Sequence, residues 1–532
     1  MRKIFFGTVI TMEEALYQQA VLVEDGVIVK VGDQAALQGI APDAEMIDLA
    51  GGVLLPAFID AHGHFSSYAN AQMQATLEGA DCLDEIARRI AAFMEANQVK
   101  KGDWVVAKGY DHNALGEKRH PDRALLDRVA PDNPLILQHQ SGHCGVLNSR
   151  ALDALQISLD TPAPAGGVIG RADGQLTGYM EEDAYIACIK RVPMAKMSDM
   201  LAAYEKAQRK YLAEGILTVQ EGMMVAQMLP LYESLIASGL LKIDVVGYPD
   251  VDSMRAIAQA LPDSVKQYNR HFKIGGYKVI LDGSPQVKTA WMKTPYQGEA
   301  DNFGYGTMPE DALISAVERA TKEKMQILAH GNGDAAIEEF LGAVEEVSKR
   351  DARILNLRPV IIHAQMMTRA QLAKAADLRV IPSFFVAHVR YWGDIHVKNF
   401  GLDRARSISP AGSALKAGVR FTFHQDAPVI EPNMIETIAC AVTRKTQTGA
   451  VLGKDERIGV LDALKAVTIN AAYQYFEEDQ KGSIREGKRA DFVVLSADPL
   501  KVAPDAIAQI QVLQTIKAGE TVFQAVAGKA AK

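Results

Sequence analysis

The feature that most constrains this chain is a pair of histidines, His62 and His64, at the end of an apolar run. Residues 53–59 read Val-Leu-Leu-Pro-Ala-Phe-Ile, which predicts a buried strand ending at the histidines. Residues two apart in a strand point to the same face, so both imidazoles should project together. This arrangement suits one metal ion, although a strand histidine is more often a buried core residue. The rest of the chain must decide between these interpretations.

The composition indicates a globular protein that acts on small molecules. Of the 532 residues, 48% are hydrophobic and 23% are charged, so there is ample material for a core. The net charge of −8 argues against nucleic acid or an anionic membrane as a partner. No apolar run approaches the ~20 residues of a membrane span. We expect a small-molecule substrate, no nucleic-acid or membrane partner, and a homodimer as the commonest assembly.

The cysteines and the first residues bear on the cellular compartment. The four cysteines are scattered, with no C-x-x-C pair, at Cys82, Cys144, Cys188 and Cys440. They predict buried free thiols in a reducing compartment, so we expect a cytoplasmic protein. Met1–Phe6 resembles the start of a signal peptide, but the apolar stretch breaks at Gly7 and no cleavage-like site follows. We interpret it as a strand; a removed export signal is the alternative.

The middle of the chain alternates strand candidates with helical stretches, which is typical of βα units around a parallel sheet. Eight strand candidates can be counted: Val53–His62, Gly215–Gly222, Lys242–Pro249, Lys273–Asp282, Gln326–Gly331, Pro359–Ala364, Arg379–Phe385 and Arg420–Asp426. Eight βα units predict a (β/α)8 TIM barrel if residues of about 65–200 form an insertion after the first strand. The insertion has a helix candidate at Leu83–Ala96, strand candidates at Trp104–Tyr110 and Leu135–His139, and a glycine-rich loop at Pro162–Gly178 that we interpret as a flexible wall or lid.

Both ends of the chain lack this alternation of strands and helices, and their sequences predict short strands. Asp25-Gly26 is a strong hairpin signal near the start, and Ala490–Leu495 and Val512–Phe523 are strand candidates near the end. Neither end has enough strands to bury a face alone, so we expect one small β-sandwich built from both. The predicted fold is therefore α/β, with the sandwich in residues 1–52 and 485–532 and the barrel in residues 53–484.

Further polar residues follow or lie in the other predicted barrel strands. In a TIM barrel the carboxyl ends of the strands meet in one mouth. Scattering 12 histidines at random would rarely place four of them after apolar runs. The sequence therefore predicts a metal site from six residues: His62, His64, Lys278, His330, His363 and Asp426.

This constellation resembles the amidohydrolase superfamily, and its YtcJ-like (amidohydrolase-3) branch in particular. The resemblance extends nearly end to end and includes the motifs Ser141-Gly142-His143, Asp282-Gly283-Ser284 after Lys278, and Gly482–Phe492. It departs at two positions. Ala57 replaces a usual glycine, and His424-Gln425 replaces the usual Gly/Ser-Ser pair before Asp426. We expect a structural role for His424, with a contact to substrate or metal as the alternative.

The resemblance implies one or two divalent metal ions, and we expect zinc. His62, His64 and Asp426 would hold one ion, and His330 and His363 a second. Asp426 would also take a proton from the attacking water and pass it to the leaving nitrogen. No Gly-x-Ser-x-Gly motif occurs, so a serine nucleophile has no support.

Lys278 is a poor ligand as an ammonium group, because it has no lone pair to donate. In many members of the family the matching lysine is carboxylated by CO2 and bridges two metals as an anion. The alternative for Lys278 is an ordinary lysine paired with a carboxylate.

The implied function is hydrolysis of a non-peptide carbon–nitrogen bond, in an N-acyl compound, a formamide or a cyclic amide. One alternative is ester or phosphotriester hydrolysis, or deamination, at the same metal site. Another is a non-catalytic regulatory or binding protein. Further residues are predicted to line the substrate pocket: His112, His143, Arg171, His388, Asp394 and His424.

Overall fold

The computed structural model describes residues 1–193 and 195–526, and the chain is a mixed α/β protein. Within this range the strands, numbered in chain order, are β1 Arg2–Ile10, β2 Tyr17–Glu24, β3 Val27–Gly32, β4 Glu45–Pro56, β5 Phe58–Ile59, β6 Ala75–Thr76, β7 Val105–Tyr110, β8 Leu135–His139, β9 Cys144–Leu147, β10 Gly167–Ala172, β11 Gln175–Glu182, β12 Ile216–Met224, β13 Asp244–Pro249, β14 Phe272–Ile274, β15 Gly276–Ile280, β16 Gln326–Gly331, β17 Val360–His363, β18 Ile381–Phe384, β19 Thr422–Phe423, β20 Phe492–Leu495, β21 Val512–Lys517 and β22 Glu520–Gln524.

The α-helices of the described residues are α1 Gln34–Ile40, α2 Phe65–Ala71, α3 Leu83–Ala96, α4 Arg123–Val129, α5 Ser149–Ala154, α6 Asp183–Ile189, α7 Met197–Ala213, α8 Leu229–Ser238, α9 Met254–Ala260, α10 Glu310–Glu323, α11 Asp334–Arg350, α12 Arg369–Asp377, α13 His388–Phe400, α14 Leu402–Ala405, α15 Ala411–Lys416, α16 Met434–Thr443, α17 Val460–Ala466 and α18 Ile469–Gln474. Short 3₁₀ turns lie at Ala226–Met228, Pro262–Ser264, Pro285–Val287, Ala352–Asn356, Lys454–Glu456 and Pro504–Gln509. None of the helices in these described ranges combines the length and the apolar character needed to cross a membrane.

The chain divides into two compact units: Met1–Phe65 with the chain from Gln208 onward, and Ser66–Ala207. In the first unit, strands from both ends of the chain form one seven-stranded sheet, in the order β22-β21-β20-β4-β1-β2-β3. Asp25 and Gly26 join β2 to β3 with φ angles of 50° and 82°, as the tight turn of a twisted hairpin requires. Phe5, Leu54 and Phe492 pack in the core of this sheet, so residues nearly 500 positions apart bury each other.

The first unit also contains two parallel sheets, with strand orders β14-β13-β12-β5 and β15-β16-β17-β18-β19. One or more helices lie in the chain between most neighbouring strands, such as α10 between β15 and β16 and α11 between β16 and β17. The helix α12 begins with a reciprocal capping box between Thr368 and Gln371, which satisfies two backbone N–H groups at its start. All eight strand candidates of the sequence contain strand residues in the structure.

Two of those candidates are divided. Residues 53–56 pair with β20 in the terminal sheet, and only Phe58–Ile59 joins β12, so His62 and His64 follow a short strand instead of lying in one. The candidate at Lys273–Asp282 splits at Gly275, with Phe272–Ile274 paired to β13 and Gly276–Ile280 paired to β16. A Cβ on Gly276 would lie 2.1 Å from the carbonyl oxygen of Gln326, so the close approach of the two chains requires glycine there.

The second unit contains a six-stranded sheet in the order β10-β11-β9-β8-β7-β6. The strands β6, β7 and β8 run parallel, and the others pair antiparallel. The predicted glycine-rich loop at Pro162–Gly178 is wrong, because most of this segment belongs to the hairpin of β10 and β11. The missed signal was Asp173-Gly174, whose φ angles of 50° and 69° form the tight turn.

A buried charge network in the first unit gives a stability prediction. Asp244 is 2% exposed and accepts from Lys481 Nζ at 2.6 Å, from Lys517 Nζ at 2.7 Å and from Arg489 Nη1 at 3.0 Å. Burial alone would raise the pKa of Asp244, but the two lysine charges hold it well below its ordinary value. This stabilisation is present above the ordinary carboxyl pKa and is lost as the pH falls through the lowered one.

We expect Asp244→Asn to lower the free energy of unfolding by about 3–5 kcal/mol, because it removes the carboxylate that pairs with the buried Lys517 and leaves Lys481 and Arg489 with only Glu477 and Asp491, respectively. Urea denaturation at neutral pH measures this difference. Asp403→Asn is the matched control, since Asp403 is 89% exposed and forms a surface ion pair with Arg406. Equal unfolding midpoints for the two variants would contradict the prediction.

Candidate metal centre

The structure brings His62, His64 and Asp426 together in the first unit. His62 Nε2 lies 3.4 Å and His64 Nε2 lies 3.3 Å from the same atom, Asp426 Oδ1. The backbone sets this approach, because the Asp426 N–H donates to the His62 carbonyl at 3.1 Å and the His64 N–H donates to the Ala427 carbonyl at 2.8 Å. Lys278, which is 2% exposed in β15, places Nζ 3.3 Å from His62 Nε2.

His363 lies near the second oxygen of Asp426, and His330 lies beside His363. The ring centroids of the two histidines are 4.5 Å apart, and His363 Nε2 is 3.9 Å from Asp426 Oδ2. The structure therefore connects the six predicted residues by close contacts, with His330 reached through His363 and Lys278 through His62. His363 and Asp426 have φ angles of 73° and 56°, which non-glycine residues rarely adopt. Strained backbone of this kind is frequent where side chains must be aimed at a functional site.

Burial makes these side chains suitable as neutral nitrogen ligands. Burial, with Lys278 as the next cause, lowers the pKa of His62 well below its ordinary value, and burial with His330 does the same to His363. Both imidazoles are therefore neutral near pH 7 and keep a lone pair for a cation. Burial also lowers the pKa of Lys278 to about 7.

One oxygen of Asp426 is suited to bind a cation. Asp426 Oδ1 is buried and receives no hydrogen bond from the residues that the structure describes, although two imidazole nitrogens lie within 3.4 Å of it. A buried carboxylate oxygen without a donor is costly unless a cation satisfies it. Together with His62 and His64 it forms a group of ligand atoms that all lie within 4.8 Å of one another. Two imidazoles and a carboxylate fit a divalent ion such as zinc.

Two supporting contacts were not predicted from the sequence. Gln220 Oε1 lies 2.5 Å from His62 Nδ1, so it can accept that proton and leave Nε2 free to face Asp426. Asp282 Oδ1 lies 3.1 Å from His330 Nδ1, and its carboxylate accepts backbone N–H bonds from Gly333 at 2.7 Å and Trp291 at 3.0 Å. The motif containing Asp282 was visible in the sequence, but nothing in the sequence pattern pointed to Gln220.

His424 contacts another histidine of the site. It is fully buried, its Nε2 is 3.1 Å from His363 Nδ1, and its Nδ1 is 2.8 Å from Ser383 Oγ. Burial lowers its pKa to about 3. The His424 side chain therefore contacts the Nδ1 atom of His363 and restricts the orientation of that ring.

The predicted pocket residues occupy different surroundings. His388 begins α13 and is buried, with its ring against Phe385 at 4.6 Å between centroids. Asp394 lies on the same helix, is exposed, and accepts from Thr448 Oγ1 at 3.0 Å. Their contact with substrate stays a prediction.

Three more pocket residues lie in the second unit, with partners there. His143 is exposed and pairs with Glu182 at 3.0 Å, and Arg171 donates to the Thr161 carbonyl at 2.6 Å. His112 lies beside His139, with 3.2 Å between His112 Nδ1 and His139 Nε2. The predicted role of these three residues in substrate binding also stays a prediction.

A mixed α/β fold with a histidine and carboxylate cluster at strand ends is the arrangement of a metal-dependent hydrolase. Residues 45–523 match the profile of the amidohydrolase family, and the chain therefore belongs to that family. It is a hydrolase that acts on carbon–nitrogen bonds other than peptide bonds. The resemblance noted from the sequence motifs is confirmed.

Three proteins illustrate the similarity. The YtcJ protein of Bacillus subtilis (strain 168) is 28% identical over 536 residues, which cover 97% of this chain and 98% of YtcJ. The N-substituted formamide deformylase of Arthrobacter pascens is 30% identical over 514 residues, 93% of each chain. The crystal structure of an uncharacterized metal-dependent hydrolase from Pyrococcus furiosus has a TM-score of 0.76 at 25% identity, covering 94% of this chain and 100% of that one.

Proposed function

We propose that this protein hydrolyses small N-acyl compounds, with N-substituted formamides as the leading substrate class. The observation that carries the proposal is the buried, donor-free Asp426 Oδ1 between the imidazoles of His62 and His64. The similarity to a formamide deformylase over 93% of the chain supports the substrate class. Cyclic amides are the other carbon–nitrogen substrates that such a site accommodates.

We also propose that the two parallel sheets are arcs of one eight-stranded barrel. Gly275 continues the chain from β14 to β15, so one segment contributes to both sheets. At the opposite end, the backbone bonds between His62 and Asp426 and between His64 and Ala427 join the ends of β5 and β19. In this proposal residues 53–484 form the barrel domain, with an insertion at about 65–200, and residues 1–52 and 485–532 form the second, composite domain.

The proposed metal ligands divide into two groups. His62, His64 and Asp426 would hold one divalent ion, and His330 and His363 would hold a second. Lys278 would supply a further anionic ligand after carboxylation by CO2, a reaction that needs the neutral amine. Its burial and its 3.3 Å approach to His62 Nε2 support this role. We propose zinc, because imidazole and carboxylate ligands at close spacing suit it.

The chemistry assigned to the chain's own residues is proton transfer and orientation. A divalent ion held by these residues would supply polarisation of the scissile carbonyl and a lower pKa for the attacking water. Asp426 accepts a proton from that water as its oxygen bonds to the carbonyl carbon, and then gives the proton to the nitrogen as the carbon–nitrogen bond breaks. Gln220 and Asp282 fix the tautomers of His62 and His330 during this cycle.

A matched substrate panel tests the proposal. Zinc-loaded protein is incubated separately with four compounds: an N-alkylformamide, the acetamide of the same amine, a lactam, and the formate ester of the matching alcohol. The release of amine, alcohol and acid is measured. We expect the formamide to have the highest kcat/KM. A preference for the ester would overturn the carbon–nitrogen assignment, and no turnover of any compound by folded, metal-loaded protein would favour a binding or regulatory role.

A further inference from the structure

A second group of metal-binding side chains lies in the unit formed by Ser66–Ala207. Asp111 and His112 directly follow β7, and His139 ends the neighbouring parallel strand β8. The carboxyl ends of parallel neighbours lie at the same edge of a sheet, so these side chains meet there. The register of the two strands shifts between Lys108 and Tyr110, where Gly109 has a φ of 91°. A shift of this kind changes the direction of the side chains that follow it.

The geometry of three atoms carries the inference. His112 Nδ1 and His139 Nε2 are 3.2 Å apart, and Asp111 Oδ1 lies 4.0 Å from the first and 3.7 Å from the second. A point equidistant from all three atoms in their plane lies about 2.1 Å from each, which is the length of a zinc–nitrogen or zinc–oxygen bond. We propose that Asp111, His112 and His139 bind a divalent transition-metal ion such as zinc, separate from the ions of the His62–Asp426 site.

The contacts around these ligands support the proposal. The Asp111 carboxylate is oriented by the backbone N–H of Asn113, which donates to Oδ1 at 2.9 Å. The His120 ring stacks on His112 with centroids 4.0 Å apart, and Tyr110 Oη is 2.9 Å from His120 Nδ1, so the plane of the His112 ring is held on one side.

His139 has a partner for the tautomer that metal binding requires. Ser141 Oγ lies 2.9 Å from His139 Nδ1 and can accept its proton, which leaves Nε2 unprotonated for the ion. The Ser141 backbone N–H donates to Nδ1 at 3.1 Å, which favours the tautomer protonated at Nε2, so metal binding has to reverse this preference.

The partial exposure of the site predicts an open coordination position. The side chains of His112 and Asp111 are 29% and 25% exposed, whereas that of His139 is 9% exposed. Three protein ligands with one solvent-facing side match the pattern of zinc sites that keep a water or a small anion as the fourth ligand. The same set of two histidines and one carboxylate also binds iron(II).

The test counts ions in the full-length protein. Wild-type protein and the variant His112→Gln/His139→Gln are stripped with a chelator, reloaded with zinc, passed through a desalting column, and analysed for metal per chain by mass spectrometry. We expect the variant to hold one ion fewer than the wild type. His143→Gln is the matched control in the same unit, because His143 is exposed and pairs with Glu182 outside the cluster, and it should retain the wild-type count.

The outcomes separate this site from the first one. An equal count in the wild type and the double variant overturns the proposal, and so does an equal loss in His143→Gln. Asp111→Asn is a milder replacement if the double variant does not fold, and it should weaken zinc binding at this site in a titration. Asp426→Asn should keep the second-unit ion, so failure of the proposed hydrolase function does not affect this result.

Discussion

Replacing Asp426 by asparagine is expected to lower kcat/KM for the best substrate of the panel by about 10⁴-fold, near the upper end of what general acid–base catalysis contributes. The amide of asparagine cannot accept the proton of the attacking water, and it removes the negative charge that faces His62 and His64. The side-chain volume hardly changes, so the variant should fold. Steady-state rates for wild type and variant at the same zinc loading measure the effect.

Two controls make this result specific. Asp403→Asn changes an exposed carboxylate that is not one of the proposed ligands and should keep the wild-type rate. Metal content must be measured in parallel, because Asp426 is a proposed ligand as well as the proton acceptor. If Asp426→Asn retained more than a tenth of the wild-type kcat/KM, the proposed role of this carboxylate would be wrong.

Removing the metal is the change with the second-largest expected effect. Dialysis against a strong chelator should reduce the rate by about 10³-fold or more, since a divalent ion supplies several kcal/mol of transition-state stabilisation in hydrolases of this kind. Adding zinc back should restore the rate. The measurement is the rate as a function of zinc added per chain, and the equivalents at the break, corrected for the ion proposed at Asp111, His112 and His139, would indicate how many ions the reaction needs.

The stripped protein must still be folded for this experiment to be informative. Circular dichroism before and after chelation is the control, because metal ions also stabilise the native state by mass action. A folded protein that keeps its full rate while mass spectrometry finds no metal would contradict the metal-dependent mechanism.

Much of the chain's local structure was readable because it depends on periodicity. The predicted helix at Leu83–Ala96 is α3 with the same bounds, and the strand candidate at Gln326–Gly331 is β16. Two of the errors arose where a segment changes partners. The apolar run before His62 contributes residues to two different sheets, and the strand candidate at Lys273–Asp282 divides at Gly275. Neither division could be predicted, because the pairing of a strand depends on neighbours that are distant in sequence.

Among the site residues, those with a strand-end position were found and those that support them were not. His330 and His363 follow apolar runs, which marks them in the sequence. Gln220 and Ser383 do not stand out, since each is an ordinary polar residue within an apolar strand. Their partners, His62 and His424, lie 158 and 41 positions away, so only packing could pair them.

The sequence by itself determined the alternation of strands and helices, the family motifs and the six residues proposed for the first metal site, because these depend on side-chain type and short spacing. Only the tertiary structure decided that Asp426 Oδ1 lacks a hydrogen-bond donor, that Gln220 orients His62, and that Asp111 and His112 meet His139 at the edge of another sheet. Contacts of a few ångströms between side-chain atoms are set by how whole strands pack against each other. The spacing of residues along the chain does not contain that information.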